Sequence, residues 1–285
     1  MSRLFLAVPA PAKLNLFLHV TGRRVDGYHE LQSVFVPIDL ADLLDFARRD
    51  DGVIERTGDL LGEEEDDLAR RAAVSLQEAS GTHFGARINV DKRIPPGSGM
   101  GGGSSDAAST LIALNRLWSL CWPRARLSEL AVALGADVPF FLGPGPAFVE
   151  GIGERLTPLA MAVRDYAVVL PQVAVSTREI FADPGLTRDT KATIIAAFSA
   201  AQATLSERLF GANDLEVVVR RRFPEVDSAV RHLQHFGPAR LTGSGSAVFM
   251  AARDRDHAAA AIEALPPGWR GWTVRSLAEH PLAAW

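Results

Sequence analysis

The stretch "PPGSGMGGGSSDAAS", residues 95–109, decides how this sequence is interpreted. Its glycines at 97, 99 and 102 fit the dinucleotide pattern G-x-G-x-x-G, which is a weak signal by itself in a chain with 24 glycines. The stretch also nearly fits the nucleotide loop G-x-x-x-x-G-K-[ST], but Gly103 stands where that loop has lysine. Two phosphate-binding loops are half-matched and neither is complete, so the surrounding sequence has to decide.

A Rossmann dinucleotide site does not fit the residues that follow. Such a site needs an acidic residue about 20 positions further on, at the end of a second strand, to hold the ribose. Near that distance the chain reads "NRLWSLCWPRAR" (115–126), which has no acid and no strand pattern. The glycines also lie far from the first strand and helix of the chain. A dehydrogenase is therefore disfavoured.

What both phosphate loops share is still present. A strand pattern, "ARINVDKR" (86–93), leads into the glycines, and a helical pattern follows them at once. Glycines let the backbone curl close to a ligand, and the free N–H groups of the helix start point into that curl. A flexible linker would not lie between two regular elements behind two prolines. The stretch predicts a polyphosphate loop, in which Ser104 or Ser105 reaches a phosphate oxygen or its Mg²⁺.

Composition limits the remaining classes. The chain has 285 residues, 47% of them hydrophobic, and a net charge of −4, which gives no reason to expect a nucleic-acid partner. The run Arg220–Arg222 is interpreted as a solvated helix face. No window approaches the ~18 apolar residues of a membrane span, and the run Leu4–Val8 is too short for a signal peptide. The single cysteine, Cys121, suits a reducing cytoplasm and is expected to be buried.

Strand and helix patterns alternate irregularly, which favours an α+β fold in two domains, residues 1–158 and 159–285. "KLNLFLHV" (13–20) alternates strictly, with leucines on one face and Lys13, Asn15 and His19 on the other, directed to solvent or a cleft. Further strands are expected at 31–38, 42–48, 86–93, 166–170, 239–252 and 271–277. Helices are expected at 65–80, after the glycines, and at 126–135, 190–208, 213–222, 225–236 and 255–265.

The glycine stretch resembles the P-x-x-G-L-G-S-S-A-A loop of the GHMP kinase superfamily. "PAKLNLFL" (11–18) and "RLTGSGSAVF" (240–249) resemble the two other motifs of that superfamily. The whole chain is most similar to the 4-diphosphocytidyl-2-C-methyl-D-erythritol kinase family of the non-mevalonate isoprenoid pathway. The segments that carry this closer resemblance are "GRRVDGYHELQSVF" (22–35), "DKRIPPGSGMGGGSSDAA" (91–108), "LGADVPFFL" (134–142), "GIGERLTPL" (151–159) and "ANDLE" (212–216).

The resemblance implies a ribosomal-S5-like N-terminal domain, a ferredoxin-like C-terminal domain, and a cleft between them that holds ATP and Mg²⁺. It implies that Asp137 is the base that takes the proton of the acceptor hydroxyl and that Lys13 is the cation beside it. From the residues alone, Asp137 is equally an N-cap of a short helix that begins before Pro139. Lys13 alone would be a solvated strand residue.

The resemblance also implies the ligand contacts. It assigns ATP to the glycine loop, to Lys92 and to the segment of Asp67 and Leu68; Asp67 stands where the family often has Asn. The loop residues so assigned are Pro95, Pro96, Gly97, Ser98, Gly99, Met100, Gly101, Gly102, Gly103, Ser104 and Ser105. It assigns the cytidine diphosphate methylerythritol substrate to Asn15, Tyr28, His29 and Phe181, with a cytosine ring stacked between the two aromatic side chains.

Two other functions remain open from the sequence. The chain could be another GHMP kinase, such as a homoserine or mevalonate kinase, although these have no reason to keep "GYHE" (27–30) together with Phe181. It could also be a nucleotide- or sugar-sensing relative that binds ATP without turnover. The presence of both Lys13 and Asp137 argues against that second alternative.

Overall fold

Two β-sheets organise the computed structural model, which describes residues 4–60, 62–203 and 209–285. In the first sheet the strand order is β3-β4-β2-β5-β6, and β1 pairs with β2 outside this path; in the second it is β10-β7-β9-β8. The strands are β1 (Leu4–Arg23), β2 (His29–Arg49), β3 (Ile54–Gly58), β4 (Gly85–Asp91), β5 (Ala147–Gly151), β6 (Arg155–Pro158), β7 (Asp165–Leu170), β8 (Ala239–Leu241), β9 (Val248–Ala251) and β10 (Arg270–Arg275).

The long hairpin of β1 and β2 forms the centre of the first sheet. The two strands pair antiparallel from Leu4 opposite Ala47 to Arg23 opposite His29, with register shifts along the way. The sequence predicts two strands at 31–38 and 42–48, and the structure shows one. The apolar alternation breaks at residues 39–41, which are exposed or partly exposed, but the ladder continues past a register shift between Pro11 and Lys13, where β2 carries the extra residues.

Helices cover the sheets. They are α1 (Leu68–Ser80), α2 (Gly102–Leu117), α3 (Arg124–Leu134), α4 (Val138–Leu142), α5 (Thr177–Ala182), α6 (Ile195–Ala203), α7 (Glu216–Arg222), α8 (Pro224–Gln234) and α9 (Arg255–Glu263). Helix α1 begins later than the sequence predicts, because Asp67 caps it and the preceding acids form a 3-10 turn, Glu64–Asp66. The last part of the helix expected at 190–208 lies outside the described residues.

The apolar core joins the two halves of the chain. One cluster packs α1, α2 and α3 on the first sheet, and a second packs α7, α8 and α9 on the second sheet. A third cluster mixes both halves, for example Leu14 and Phe17 of β1 with Tyr166 of β7 and Phe249 of β9. The α+β prediction is therefore confirmed. A domain boundary at residues 158–159 stays a prediction.

One expectation about a single side chain is wrong. Cys121 is exposed, not buried. The chain reverses after α2 with φ +58° at Ser119 and +55° at Cys121, so the neighbouring Leu120 and Trp122 pack on the core and the thiol does not. Each arginine of the run 220–222 forms ion pairs with nearby acids, so the run is not a free basic patch. Among the described helices, none has the length and apolar character needed to cross a bilayer.

Candidate active site

The glycine loop turns the backbone sharply before α2 begins. Gly97, Gly99 and Gly101 have φ of +64°, +78° and +75°, a region that favours glycine because it has no Cβ. Gly101 is the N-cap of α2 and no side chain caps this helix start. The first N–H groups of α2 are therefore open to an anion, where the helix dipole also favours negative charge.

A cavity of about 340 Å³, here called the nucleotide cavity, lies against this loop. Most residues that the sequence assigned to ATP line it, and Met100 and Ser105 do not, because both are fully buried. The side chain of Met100 joins the shared core. The assigned residues that line the cavity are Asp67, Leu68, Lys92, Pro95, Pro96, Gly97, Ser98, Gly99, Gly101, Gly102, Gly103 and Ser104.

Both oxygens of the Asp67 carboxylate have partners within the protein. One oxygen accepts the N–H of Arg70 at 2.9 Å as the cap of α1, and the other lies 3.2 Å from Nε of Arg56. Arg56 is nearly buried and also donates to the backbone oxygens of Thr57 and Asp59. Asp67 therefore lines the nucleotide cavity while its side chain holds the start of α1 in place.

Lys92 lies between two buried carboxylates that the sequence reasoning missed. Its Nζ donates to Asp42 at 2.5 Å and to Asp106 at 2.7 Å, and these three residues are here called the Lys92 trio. Burial raises the pKa of Asp106 to about 7, against the attraction of Lys92. Burial opposes the charge of Lys92, but the two carboxylates raise the pKa of the ammonium. For Asp42 the sequence signal was an acid within an apolar strand, in "DLADLLDF" (39–46), and Asp106 had the pattern of a cap of the helix after the glycines.

Asp42 also orders the chain that enters the loop. Its second oxygen accepts the N–H groups of Arg93 and Ile94, at 2.6 and 2.7 Å. The Lys92 trio thus ties β2, the residues before the glycine loop and the N-terminal part of α2 to one another. One carboxyl oxygen of Asp106 is buried without a hydrogen-bond partner in the described part of the chain, and Asp106 lines the nucleotide cavity.

Lys13 and Asp137 meet beside the glycine loop. Nζ of Lys13 lies 3.4 Å from the carboxylate of Asp137, and the Lys13 N–H donates to the backbone oxygen of Met100 at 2.9 Å. A Cβ on Gly101 would lie 3.3 Å from Cγ of Lys13, so the lysine stem passes directly under the loop. Asn15 accepts a hydrogen bond from Nζ at 2.6 Å.

The face of β1 that carries Lys13 is buried, contrary to the expectation of a solvated or open face. Lys13, Asn15 and His19 are 3%, 1% and 8% exposed. The C-terminal half covers them: Thr242 bonds to the N–H and the side chain of Asn15, and the N–H of Ala212 donates to His19. The strand pattern could not reveal this cover because it comes from residues two hundred positions away.

Asp137 does not act as a helix cap. It precedes α4 with φ −86° and ψ −13°, and its side chain accepts no capping hydrogen bond. Its side chain is 31% exposed while that of Lys13 is 4% exposed. The carboxylate is thus held by one buried cation on one side and open on the other, as a base that receives a proton from a ligand must be.

The residues that the resemblance assigns to the cytosine ring come together only in part. The ring of His29 lies over Phe181 with centroids 5.0 Å apart and planes inclined by 31°. Nε of Arg188, which the sequence reasoning missed, donates to Nε2 of His29 at 3.1 Å. Tyr28 stands at the tip of the β1–β2 hairpin and is 61% exposed. The structure therefore joins His29, Phe181 and Arg188, here called the base cluster, and leaves Tyr28 in solvent.

Comparison with known proteins gives consistent results. The family model of the GHMP kinase N-terminal domain matches residues 67–145, and that of the GHMP kinase C-terminal domain matches residues 194–269. The chain is 53% identical over 278 residues to a 4-diphosphocytidyl-2-C-methyl-D-erythritol kinase of Burkholderia cenocepacia, covering 96% of this chain and 95% of that protein. It is 50% identical over 283 residues to a protein of the same name in Azoarcus, covering 99% and 98%.

Solved structures agree with these relatives. A crystal structure of a 4-(cytidine 5'-diphospho)-2C-methyl-D-erythritol kinase superposes with a TM-score of 0.80 at 37% identity, covering 96% of this chain and 98% of that chain. A mevalonate kinase from L. major superposes with a TM-score of 0.70 at 18% identity, over 97% and 96% of the two chains, and shows a shared fold alone.

Proposed function

Because the chain belongs to the 4-diphosphocytidyl-2-C-methyl-D-erythritol kinase family of the GHMP kinases, we propose that it transfers the γ-phosphoryl group of ATP to the 2-hydroxyl of 4-diphosphocytidyl-2-C-methyl-D-erythritol. The observation that carries this proposal is the Lys13–Asp137 pair beside the glycine loop, with a carboxylate that caps no helix. A nucleotide-sensing relative without turnover would have no need for that arrangement.

The chemistry follows from the positions of these two side chains. The acceptor hydroxyl attacks the γ-phosphorus, a new P–O bond forms, and the bond to the β-phosphate oxygen breaks to release ADP. Asp137 takes the hydroxyl proton as the nucleophile forms its bond. Lys13, fixed by Asn15 and by the backbone of Met100, orients the hydroxyl and offsets negative charge near the carboxylate.

The triphosphate is held by backbone rather than by a cationic side chain. The open N–H groups of α2 and the left-handed glycines form the cradle. Lys92, although it lines the nucleotide cavity, is bound to two carboxylates, so we assign it to holding the loop rather than to a direct phosphate contact. This differs from the direct contact that the family resemblance implies.

Oxygen donors suited to Mg²⁺ are present at the start of α2. Ser104 lines the nucleotide cavity, the hydroxyl of Ser105 is buried without a partner among the described residues, and Asp106 has an unpartnered carboxyl oxygen. Hydroxyl and carboxylate oxygens are ligands that Mg²⁺ prefers. When bound with ATP, the ion neutralises charge on the phosphates. We propose Ser104 and Asp106 as its protein ligands, and not Ser105, because Ser105 does not line the cavity.

We propose that the cytidine end of the acceptor binds at the base cluster and that Tyr28 closes on it from the hairpin tip. The rings of His29 and Phe181, 5.0 Å apart and inclined by 31°, support this because they place a polar ring edge and an aromatic surface, on which a base can stack, next to each other. Asn15 would face the reacting hydroxyl beside Lys13. A cytoplasmic location, consistent with the single free Cys121, is part of the proposal.

The experiment that tests this function compares acceptors for the purified wild-type enzyme with ATP. We expect efficient phosphorylation of 4-diphosphocytidyl-2-C-methyl-D-erythritol, and poor phosphorylation of methylerythritol phosphate, homoserine and mevalonate. Preference for homoserine or mevalonate would show another GHMP kinase. ATP binding by calorimetry without phosphorylation of any of these acceptors would show a sensing protein.

A further inference from the structure

Arg188 donates four hydrogen bonds, two of them to the other members of the base cluster. Its Nε donates to Nε2 of His29, its Nη2 donates to the backbone oxygens of Phe181 and Asp183, and its Nη1 donates to that of Leu186. All of these groups accept, and a guanidinium has donors only and keeps its charge at every working pH. Arg188 therefore joins the histidine of the N-terminal half to the aromatic ring of the C-terminal half.

The contact at His29 determines where the imidazole proton lies. Because the Arg188 Nε–H is a donor, Nε2 must present its lone pair, and a neutral ring then carries its proton on Nδ1. Burial, the charge of Arg188 and the charge of Arg23 lower the pKa of His29, so the ring stays neutral near pH 7. No hydrogen bond of His29 Nδ1 is found in the part of the chain that the structure describes, which leaves this N–H for a ligand.

We propose that Arg188 is a positioning residue that fixes the Nδ1–H tautomer of His29 and so makes the enzyme select cytosine over uracil. Cytosine has a lone pair on N3, and uracil has an N–H there. A fixed Nδ1–H donor can form a hydrogen bond with N3 of cytosine. It cannot form one with uracil, because two donors would then face each other. The inference rests on the proposed function, because it takes the base cluster as the cytidine site.

The arginine also explains why one histidine suffices for base selection. A histidine without a fixed partner exchanges tautomers, and its Nδ1 lone pair would then accept the N3–H of uracil. A site that leaves a buried polar group unpaired against the wrong ligand rejects it strongly. The groups that face the His29 ring are Arg188 from the segment after α5, Phe181 from α5 and Arg23 from β1; none of them is an acid that would draw the proton to Nε2.

The experiment measures kcat/KM for the cytidine substrate and for its uridine counterpart between pH 5.5 and 8 in wild type, Arg188→Met and Arg221→Met. Arg221 is the matched control: it holds Asp183 of the same segment by an ion pair and contacts no atom of His29. We expect a flat cytidine preference in wild type and in Arg221→Met. At pH 8 the preference in Arg188→Met should fall about five- to tenfold, the value of one hydrogen bond.

The pH dependence separates this role from a structural one. In Arg188→Met the loss of the guanidinium charge raises the pKa of His29 toward its ordinary value near 6.5. Burial and Arg23 still hold this pKa below 6.5, so the ring gains a proton only toward the acidic end of the range; Nδ1 then donates again, and the cytidine preference should recover. A misplaced loop would not regain selectivity on acidification. An Arg188→Met preference equal to that of wild type at every pH would overturn the inference.

A direct measurement covers the case in which Arg188→Met does not fold. Nitrogen-15 NMR of the wild-type enzyme should show His29 neutral with its proton on Nδ1 at pH 7, and an Nε2–H tautomer would overturn the inference. A wild-type enzyme that phosphorylates other acceptors but not the cytidine substrate would overturn the proposed function, and this inference with it. Efficient wild-type turnover of the cytidine substrate combined with unchanged selectivity in Arg188→Met would overturn the inference alone.

Discussion

The nucleotide cavity and the base cluster differ in what they are made of. The cavity is made by one continuous stretch whose backbone turns at Gly97, Gly99 and Gly101 and then opens the N–H groups of α2. The base cluster consists of side chains from positions 29, 181 and 188, which contact one another although they are far apart in the sequence. A site made of backbone atoms can be predicted from the sequence because it requires glycine at fixed positions. A side-chain site depends on contacts across the chain.

The largest effect is expected at the Lys13–Asp137 pair, which acts on the ligands of both regions. Asp137→Asn keeps the shape of the side chain and removes the base, so turnover should fall by about 10²–10⁴. Lys13→Met should lose a comparable amount. The KM for ATP and for the cytidine substrate should change little, because neither region loses a contact. Steady-state kinetics and a thermal melt check this.

Glu129→Gln is the matched control for Asp137→Asn, because it removes one carboxylate charge from an exposed position on α3. It should keep wild-type turnover. If Asp137→Asn retained more than about a tenth of wild-type turnover, the base would lie elsewhere, since general bases supply at least about 10².

The next prediction tests whether the backbone of the glycine loop, rather than side chains, binds ATP in the nucleotide cavity. Gly101→Val places a branched side chain at φ +75° and 3.1 Å from the ring of Phe141, so we expect a loss of about 2 kcal/mol or more in stability along with ATP binding. In Gly103→Ala the new methyl would meet only Leu68, at 3.5 Å. That variant should keep its melting temperature and bind ATP about tenfold more weakly. Calorimetric titration measures both affinities. Wild-type ATP affinity in a folded Gly103→Ala would contradict close approach of the phosphates to the loop.

A third prediction concerns the base cluster and its exposed neighbour. Tyr28→Ala should raise the KM for the cytidine substrate about five- to hundredfold, since stacking on a base is worth about 1–3 kcal/mol. Its stability should not change because the side chain is 61% exposed. Phe181→Ala should raise the same KM and also lower stability, because Phe181 packs on the second core cluster.

Val25→Ala is the matched control for Tyr28→Ala, since Val25 is a fully exposed apolar residue of the same hairpin tip. It should leave both KM values unchanged. An unaltered KM in Tyr28→Ala would mean that the hairpin tip does not close on the base, and the proposed contact of Tyr28 would be withdrawn. The KM for ATP serves as an internal reference in each variant.

The smallest effect concerns the pH dependence of stability at the nucleotide cavity. The pKa of Asp106 is raised to about 7 in the folded protein, above its value near 3.9 when unfolded. Its contribution to stability is therefore fully present below about pH 4 and is lost as the pH rises through 7. Asp106→Asn should remove this dependence and be more stable than wild type at pH 8, on the order of 1 kcal/mol.

Urea denaturation at pH 5, 6.5 and 8 measures this difference. Asp91→Asn is the control, because Asp91 is an exposed acid at the end of β4, paired with the equally exposed Arg93. It should follow the wild-type curve. The same pH slope in Asp106→Asn as in wild type would show that the carboxylate stays ionised beside Lys92 throughout this range.

The sequence by itself determined the parts of this protein that depend on local chemistry. The glycines, the strand before them and the helix after them are consecutive, so the cavity wall at 95–104 followed from conformational requirements. The alternation in 13–20 predicted β1, and the irregular order of elements predicted an α+β fold. The pairing of Lys13 with Asp137 came from family resemblance rather than from spacing.

Tertiary structure decided what depends on distant contacts. Only folding shows that Lys13 is buried, that Asp137 caps no helix, and that Lys92 is held between Asp42 and Asp106. Arg188 and His29 are 159 positions apart, so no local pattern predicts that one fixes the proton of the other. The physical reason is the same throughout: backbone conformation is set by neighbours in sequence, whereas burial, ion pairing and protonation are set by neighbours in space.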